Sequence, residues 1–544
     1  RKVAELRDAD TPQADESDLA TEGEREFWVA EAAGLDTRPF IIPVIRTVEG
    51  EVPDPARWSD AWTALVERHE ALRTTFAEDA EGCLHRRVAA TVDGALELST
   101  QTGRTAALAH IRARQGEPFA MATAPLWRAG LVRLADGGSP LFWMAMHHSI
   151  GDGRSVGILL EELTALLAGE PLPPLSARYA AIAARELRYL DGPDHAADEA
   201  HWREHLSALP PEAFEDWPLD TPRAAGATPG SHRFELRLDP ATAAGLKAVA
   251  RRHEASLHAI LLTLLAREVR RRTGRGAFTI GTTGDIRETA EDMRVVGYGV
   301  NMLPLAFYPV AGIPFGAELR ATQAALAGAL QHARMPFARI CHGFWEDHPQ
   351  HRDPARYPLF DIAVTENPQG ARAAGPLCLV RPNGEGPAYE RTGHSPGQDM
   401  VLIHEGLADG GLLLQWHVNA ALYAQDTAER WFDALTGWAR WLGDDDARAE
   451  ATPPALLPEE EATLASWEHG PAAERPTLTF HALFERLIDR PGTGQGGRPA
   501  VIGADRVLTY RAVEAEANAI AHALLERGAE RGTVVGVLAG RSPN

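Results

Sequence analysis

Seven consecutive residues, Pro140 to Met146 (PLFWMAM), carry no polar side chain and no alternation of polar and apolar positions. A strand of this kind needs cover on both faces, so the chain must fold in layers around it. The segment runs straight into His147-His148-Ser149-Ile150-Gly151-Asp152-Gly153, where two glycines break the strand. A helical pattern follows in VGILLEELTALLAG. It puts Val156, Leu159, Leu160, Leu163 and Leu167 on one side, with Ser155 as its expected cap and Gly169 as its stop. Strand, tight polar loop and helix therefore form one unit. An imidazole at such a strand end is held by rigid neighbours and can be aimed.

The rest of the chain reads as alternating strands and helices, an α/β pattern. FIIPVIRTVEG predicts a strand, PARWSDAWTALVERHEALR a helix, and LRTTFAED another strand. LWRAGLVRLADGGSPLFWMAM predicts a hairpin turning at Gly137-Gly138. The Pro-rich PLPPLSA breaks the pattern at Ala177. A second α/β stretch contains SLHAILLTLLAREVRRRTG, FTIGTTGDI, VVGYGVNMLPLAFYPV and LLLQWHVN. The acidic, Pro-rich DDDARAEATPPALLPEEE reads as a linker before a third region. The expected divisions are a polar lead-in over 1–16, lobes over 17–177 and 178–445, a linker over 446–476, and a last piece over 477–544. That piece is too short to complete a core of its own, so an excised part of a longer chain is expected.

A formal charge of -22 disfavours nucleic acid and anionic membranes as partners. No apolar run is long enough to cross a bilayer. Three scattered cysteines, Cys83, Cys341 and Cys378, suggest neither a disulfide framework nor a zinc site, and a reducing cytoplasm fits them. Cys341, His342, His348 and His351 lie close in sequence but lack ligand periodicity, so no metal is expected.

In a chain with 21 histidines, chance supplies about one adjacent pair, so His147-His148 alone carries little information. A pair of satisfied core histidines in a turn explains it equally well. The surrounding segments decide. HHSIGDGRS resembles the HHxxxDG signature of the condensation domains of nonribosomal peptide synthetases, and RHEALRTTF (Arg68 to Phe76) resembles RHExLRTxF. VGYGVNMLPL, HARMPF and RDPARYPLFDIAVTEN resemble three further segments of that family, in family order. After them, VLTYRAVEAEANAIAHALLERG resembles the opening of an adenylation domain.

The resemblance implies two chloramphenicol-acetyltransferase-like lobes arranged as a V-shaped pseudo-dimer, plus a partial α/β adenylation fragment. It implies amide formation between a donor acyl thioester and an acceptor α-amine. Both would ride on phosphopantetheine arms of upstream donor and downstream acceptor carrier proteins, with no cofactor bound by the chain itself, which is expected to be a monomer beside its adenylation domain. His148 is expected to position the amine and take its proton. His147 is expected to support the loop, Asp152 to organise it as an ion pair, and Gly153 to offer a backbone N–H to the oxyanion. Arg73, and second Arg68, are the expected partners of Asp152. Ser155, Arg154, Asn301 and Met302 are candidate tunnel residues.

The chain departs from the family pattern at Glu24 and Glu26 (Gln and Arg), Gly299 (Phe), Met302 (Thr), Ala306 (Arg), and Gly151 and Arg154 (Ser and Trp). Tyr179 remains of a further motif that has lost its Asp. These departures leave room for a subtype that also dehydrates a seryl or threonyl residue. Epimerization fits poorly, because an adenylation start follows. Heterocyclization would need a DxxxxD pattern that is absent. A degenerate recruitment platform would be expected to lose His148.

Overall fold

All seven residues of Leu141–His147 are buried, as their composition requires, and the strand lies inside a six-stranded sheet. The structure, a computed structural model, describes residues 18–538 except 224–229, 354–355, 368–371, 375–376, 381–388, 393–396, 469–476, 489–493 and 504–505. The expected lead-in over 1–16 lies outside the described residues. The chain divides into two compact units, one ending at Leu457 and one beginning at Pro458.

The first unit has two lobes. In the first sheet Ile41–Gly50 pairs antiparallel with Leu141–His147, which pairs antiparallel with Trp127–Leu134, which pairs parallel with Glu97–Gln101. The second sheet repeats this scheme. Ser231–Leu238 pairs antiparallel with Leu412–Asn419, that strand antiparallel with Met400–Gly406, and that one parallel with Ile362–Glu366. The helices repeat too. Pro55–Arg68 and Pro240–Arg252 follow the first strand of each set, and Gly153–Ala168 and Gln425–Asp444 follow the second. The expected two-lobed pseudo-duplication is therefore present in the strand order. Further strands extend both sheets. Phe278–Asp285 and Val300–Phe307 extend the second sheet, and the backbone of Leu377–Val380, from the second half of the chain, pairs with Ile41–Gly50 in the first.

The duplication is not chemical. The turn after Leu412–Asn419 reads Ala420-Ala421-Leu422-Tyr423-Ala424, with no histidine and no carboxylate. The matching turn after Leu141–His147 holds both, so the pseudo-dimer has one polar turn of this kind.

Each lobe has its own core. Trp58, Trp62 and Phe142 are enclosed in the first, with Trp58 stacked on Phe142 at 5.6 Å. Phe278, Phe315, Phe360 and Trp416 anchor the second. Withdrawing each such side chain contributes about 1.5–3 kcal/mol. No helix among the described residues is long and apolar enough to cross a membrane.

In the second unit Pro499–Ile502 and Val507–Thr509 pair antiparallel, and Thr509 caps the helix Tyr510–Glu526 through the Ala512 N–H. The helix Pro458–Glu468 lies within the stretch read as linker.

Asn301 ties the added strand to the segment His332–Phe337. Its amide donates to the carbonyls of Ala333 (2.8 Å) and Met335 (2.7 Å), and its Oδ1 accepts from the Phe337 N–H (2.9 Å). Asn301→Ala would leave three buried backbone groups unpaired and is expected to lower stability by about 3 kcal/mol, measured as a shift in the urea midpoint.

Candidate active site

The loop after Leu141–His147 is shaped by three short devices. A 3₁₀ turn spans His148–Ile150, Gly151 is extended, and Asp152 caps the helix that starts at Gly153. The cap is Asp152 and not Ser155, a correction to the sequence reading. Ser155 already lies inside the first turn, where its N–H donates to Asp152 Oδ1 at 2.8 Å. Ser155 Oγ sits 2.9 Å from both Asp152 Oδ1 and the Gly297 carbonyl, and accepts from the Gly297 N–H.

The other carboxylate oxygen of Asp152 faces the second lobe. Oδ2 accepts from Arg287 Nη1 at 2.8 Å and from the Gly299 N–H at 2.9 Å. Both charged side chains are almost wholly buried. Burial alone would raise the Asp152 pKa, but the Arg287 charge and these hydrogen bonds outweigh it and hold the carboxyl below its usual range. Arg287 also donates to the carbonyls of Gly297 (2.7 Å) and Val295 (3.2 Å), so its fork is saturated.

Arg73 and Arg68 therefore do not anchor the loop. Arg73 donates to the carbonyls of Val66, Glu67 and Ala89, closing the end of the helix Pro55–Arg68. Arg68 pairs with Glu162 at 3.0 Å, two turns into the loop helix, beside a His69–Glu162 contact of 2.7 Å. Both arginines hold the scaffold around the loop without touching Asp152. Arg287 is 135 residues from its partner and carries no local sequence signal.

His147 is sealed, with its ring edge-on to Phe27 (5.7 Å), Phe40 (6.3 Å) and Phe119 (6.4 Å). Its Nδ1 accepts from the Ser149 N–H at 3.2 Å, which puts the proton of the neutral ring on Nε2. Burial, then the neighbouring His148, push its pKa down to about 3, so it stays neutral. His148 is half-buried. Its ring is parallel to Phe27 (5.8 Å, 14°) and edge-on to Tyr298 (5.4 Å, 86°). Burial lowers its pKa, opposed by the Asp152 charge. Its Nδ1 is enclosed without a hydrogen-bond partner among the described residues.

The remaining sequence candidates have definite places. Gly153 opens the helix and is half-buried. Arg154 pairs with Asp285 at 3.1 Å across the lobes. Asn301 is the strut between strand and segment, and Met302, half-buried, packs against the core of the second lobe. Of the departures from the family pattern, Gly299 has a steric reason. A Cβ there would stand 2.1 Å from Arg287 Nη1. At Gly151 a Cβ would meet Met146 Cε at 2.2 Å. Glu24 is the inner partner of a capping box with Thr21 and lies 3.8 Å from Arg86. Among the described residues, no three side chains are grouped to hold a metal.

A buried strand that delivers two neutral imidazoles to a turn, clamped by an ion pair from a second lobe of the same topology, defines a two-lobed transferase-like fold with a single polar turn. Comparison with known proteins gives the family. Residues 22–438 match the model described as Condensation domain, and the chain belongs to that family. Residues 488–544 match the model described as AMP-binding enzyme. The chain is 30% identical over 496 residues to "Phosphinothricin tripeptide synthetase PhsC" of Streptomyces viridochromogenes, covering 88% of this chain and 44% of that protein. It is 25% identical over 534 residues to "Bacitracin synthase 3" of Bacillus licheniformis, covering 97% and 8%. The chain thus spans less than half the length of either relative. The condensation domain from "Monacolin K polyketide synthase MokA" superposes with a TM-score of 0.69 at 21% identity, covering 79% of this chain and 97% of that one, which supports the fold.

Replacing Arg287 by Met would strand a buried carboxylate. A loss of about 3–5 kcal/mol is expected at neutral pH. The sign of the pH dependence should also reverse. In the native chain the depressed Asp152 pKa contributes stability that is lost as pH falls through it. In Arg287→Met the carboxyl is raised instead, so stability is greatest in acid and falls as pH rises through the new value. Urea melts at pH 3 and 8 read the difference.

Proposed function

We propose that the chain forms an amide between a donor acyl or peptidyl thioester and the α-amine of an acceptor aminoacyl thioester, each carried on the phosphopantetheine arm of a carrier protein. The observation that carries this reading is His148, held neutral between two aromatic rings at the end of a buried strand. Its Nδ1 is enclosed, which leaves Nε2 to meet substrate.

The chemistry asks little of a base before attack. An α-amine has a pKa of about 7.7–8.0, so a useful fraction is neutral near pH 7.5. Attack on the thioester carbonyl creates an N–H⁺ and an oxyanion. A neutral imidazole can accept a hydrogen bond from the amine, turn its lone pair toward the carbonyl, and then take the proton. General-base help is worth about 10²–10⁴-fold. Holding two tethered reactants together supplies as much or more. The first N–H groups of the helix at Gly153 are oriented donors for the oxyanion. Collapse expels the donor arm as a thiol, with the proton delivered to its sulfur.

The buried Asp152 acts on none of these atoms. It fixes the turn that presents His148. The dehydrating alternative drew on Gly151 and Arg154. The methyl end of Met146 lies beside the first and the second pairs with Asp285.

His148→Ala is expected to cut amide formation between loaded donor and acceptor carrier proteins by about 10²-fold or more, while the fold is retained. Intact-protein mass spectrometry of the acceptor carrier reads the product. A product lighter than the simple amide by one water would establish dehydration instead. Unchanged turnover in His148→Ala would point to a recruitment platform.

A further inference from the structure

Gly23 leaves room for the ring of Tyr298, and the glycines on either side of Tyr298 leave room for Tyr179 and Arg287. A Cβ at Gly23 would stand 2.5 Å from the Tyr298 ring. At Gly297 it would stand 2.1 Å from Tyr179, whose hydroxyl donates to the Tyr298 carbonyl at 2.6 Å. At Gly299 it would strike Arg287. Tyr298 is thereby seated between the helix Glu22–Ala32 and the 3₁₀ turn, edge-on to Phe27 (5.0 Å, 80°) and edge-on to His148 (5.4 Å, 86°). Phe27 supplies the second wall, parallel to the imidazole. Two rings at right angles leave the His148 ring one plane in which to lie.

The family pattern has a Phe at the position of Gly299. Here Gly299 leaves the space that Arg287 Nη1 fills on its way to Asp152, and the neighbouring Tyr298 ring lies edge-on to His148.

We propose that Tyr298 is a positioning residue for His148, acting with Phe27 through its ring to fix the imidazole plane and keep water off it. The effect on activity rests on the amide-forming reading above; the positioning role does not. The charged and titratable groups around the two rings are Asp152 with Arg287, His147, and Glu26, Glu186 and Glu24. Burial, then the charges of Glu26, Asp152, Glu186 and Glu24, push the Tyr298 hydroxyl up, so it is un-ionised at any working pH. The role therefore belongs to the ring and not to the hydroxyl.

The test uses the whole chain with ¹³Cε1-labelled histidine, His148 being assigned by its loss in His148→Gln. In Tyr298→Leu the His148 titration is expected to rise toward the ordinary value of about 6.5. Amide formation between loaded carriers is expected to fall about 10²-fold in kcat, with acceptor KM within about twofold, and the acid limb of the rate profile should move to higher pH. Tyr298→Phe should restore all three. Phe27→Leu, which removes the other wall, should shift the titration the same way and serves if Tyr298→Leu does not fold. An unchanged His148 titration in the folded leucine variants would overturn the proposal. So would a rise in KM alone, or a Tyr298→Phe variant as impaired as Tyr298→Leu. If the native chain forms no amide while the titration shifts as expected, the functional reading fails and the positioning role stands.

Discussion

The Asp152–Arg287 pair is the interaction on which the site depends. It joins the turn of one lobe to the second lobe at a place neither lobe could stabilise alone. An isolated carboxylate at that depth would take up a proton, and an isolated guanidinium would be costly to desolvate. Together, with Ser155, Gly297, Gly299 and Val295 taking up the remaining donors and acceptors, they form a saturated network. The turn that presents His148 therefore inherits its geometry from the meeting of the lobes. The position of the imidazole is a property of the whole pseudo-dimer.

The same logic explains the chemistry of the two imidazoles. Both are kept neutral by burial, but with different consequences. His147 is sealed among phenylalanines and spends its Nδ1 on the Ser149 N–H, so it shapes the turn. His148 is enclosed on one nitrogen only. Neighbours in sequence thus divide the work of support and contact, and the aromatic rings, not ionic partners, make the division.

The local unit is legible in the sequence alone. The unbroken apolar strand, the glycine-broken loop and the amphipathic helix each have a physical signature within one short stretch; all three are present, with the helix starting at Gly153, before the Ser155 cap that the pattern suggested. The partner of Asp152 is not legible there. Arg73 and Arg68 stand in a well-marked motif, yet their guanidinium groups close a helix end and hold Glu162. Arg287 follows a Thr- and Gly-rich strand, and nothing in its neighbourhood announces a contact 135 residues away. Asn301 misleads for a related reason. A polar residue in an apolar strand suggests a ligand, whereas here it satisfies three backbone groups. Long-range polar pairing is set by which elements meet, and local periodicity carries no record of that.

The strand Leu377–Val380 has a consequence for how the chain comes to be folded. It covers the outer edge of Thr47–Gly50, the end of a strand made far earlier in the chain. Until that late segment emerges, the first sheet has a bare row of donors and acceptors, open to any extended neighbour. On a protein synthesised from its N-terminus, the first lobe waits for the second to finish its border. Separating the lobes at the boundary between them would therefore yield a first lobe with an adhesive flank, and a fusion or exchange of modules is safest when it keeps everything from Glu22 to Leu457 on one piece.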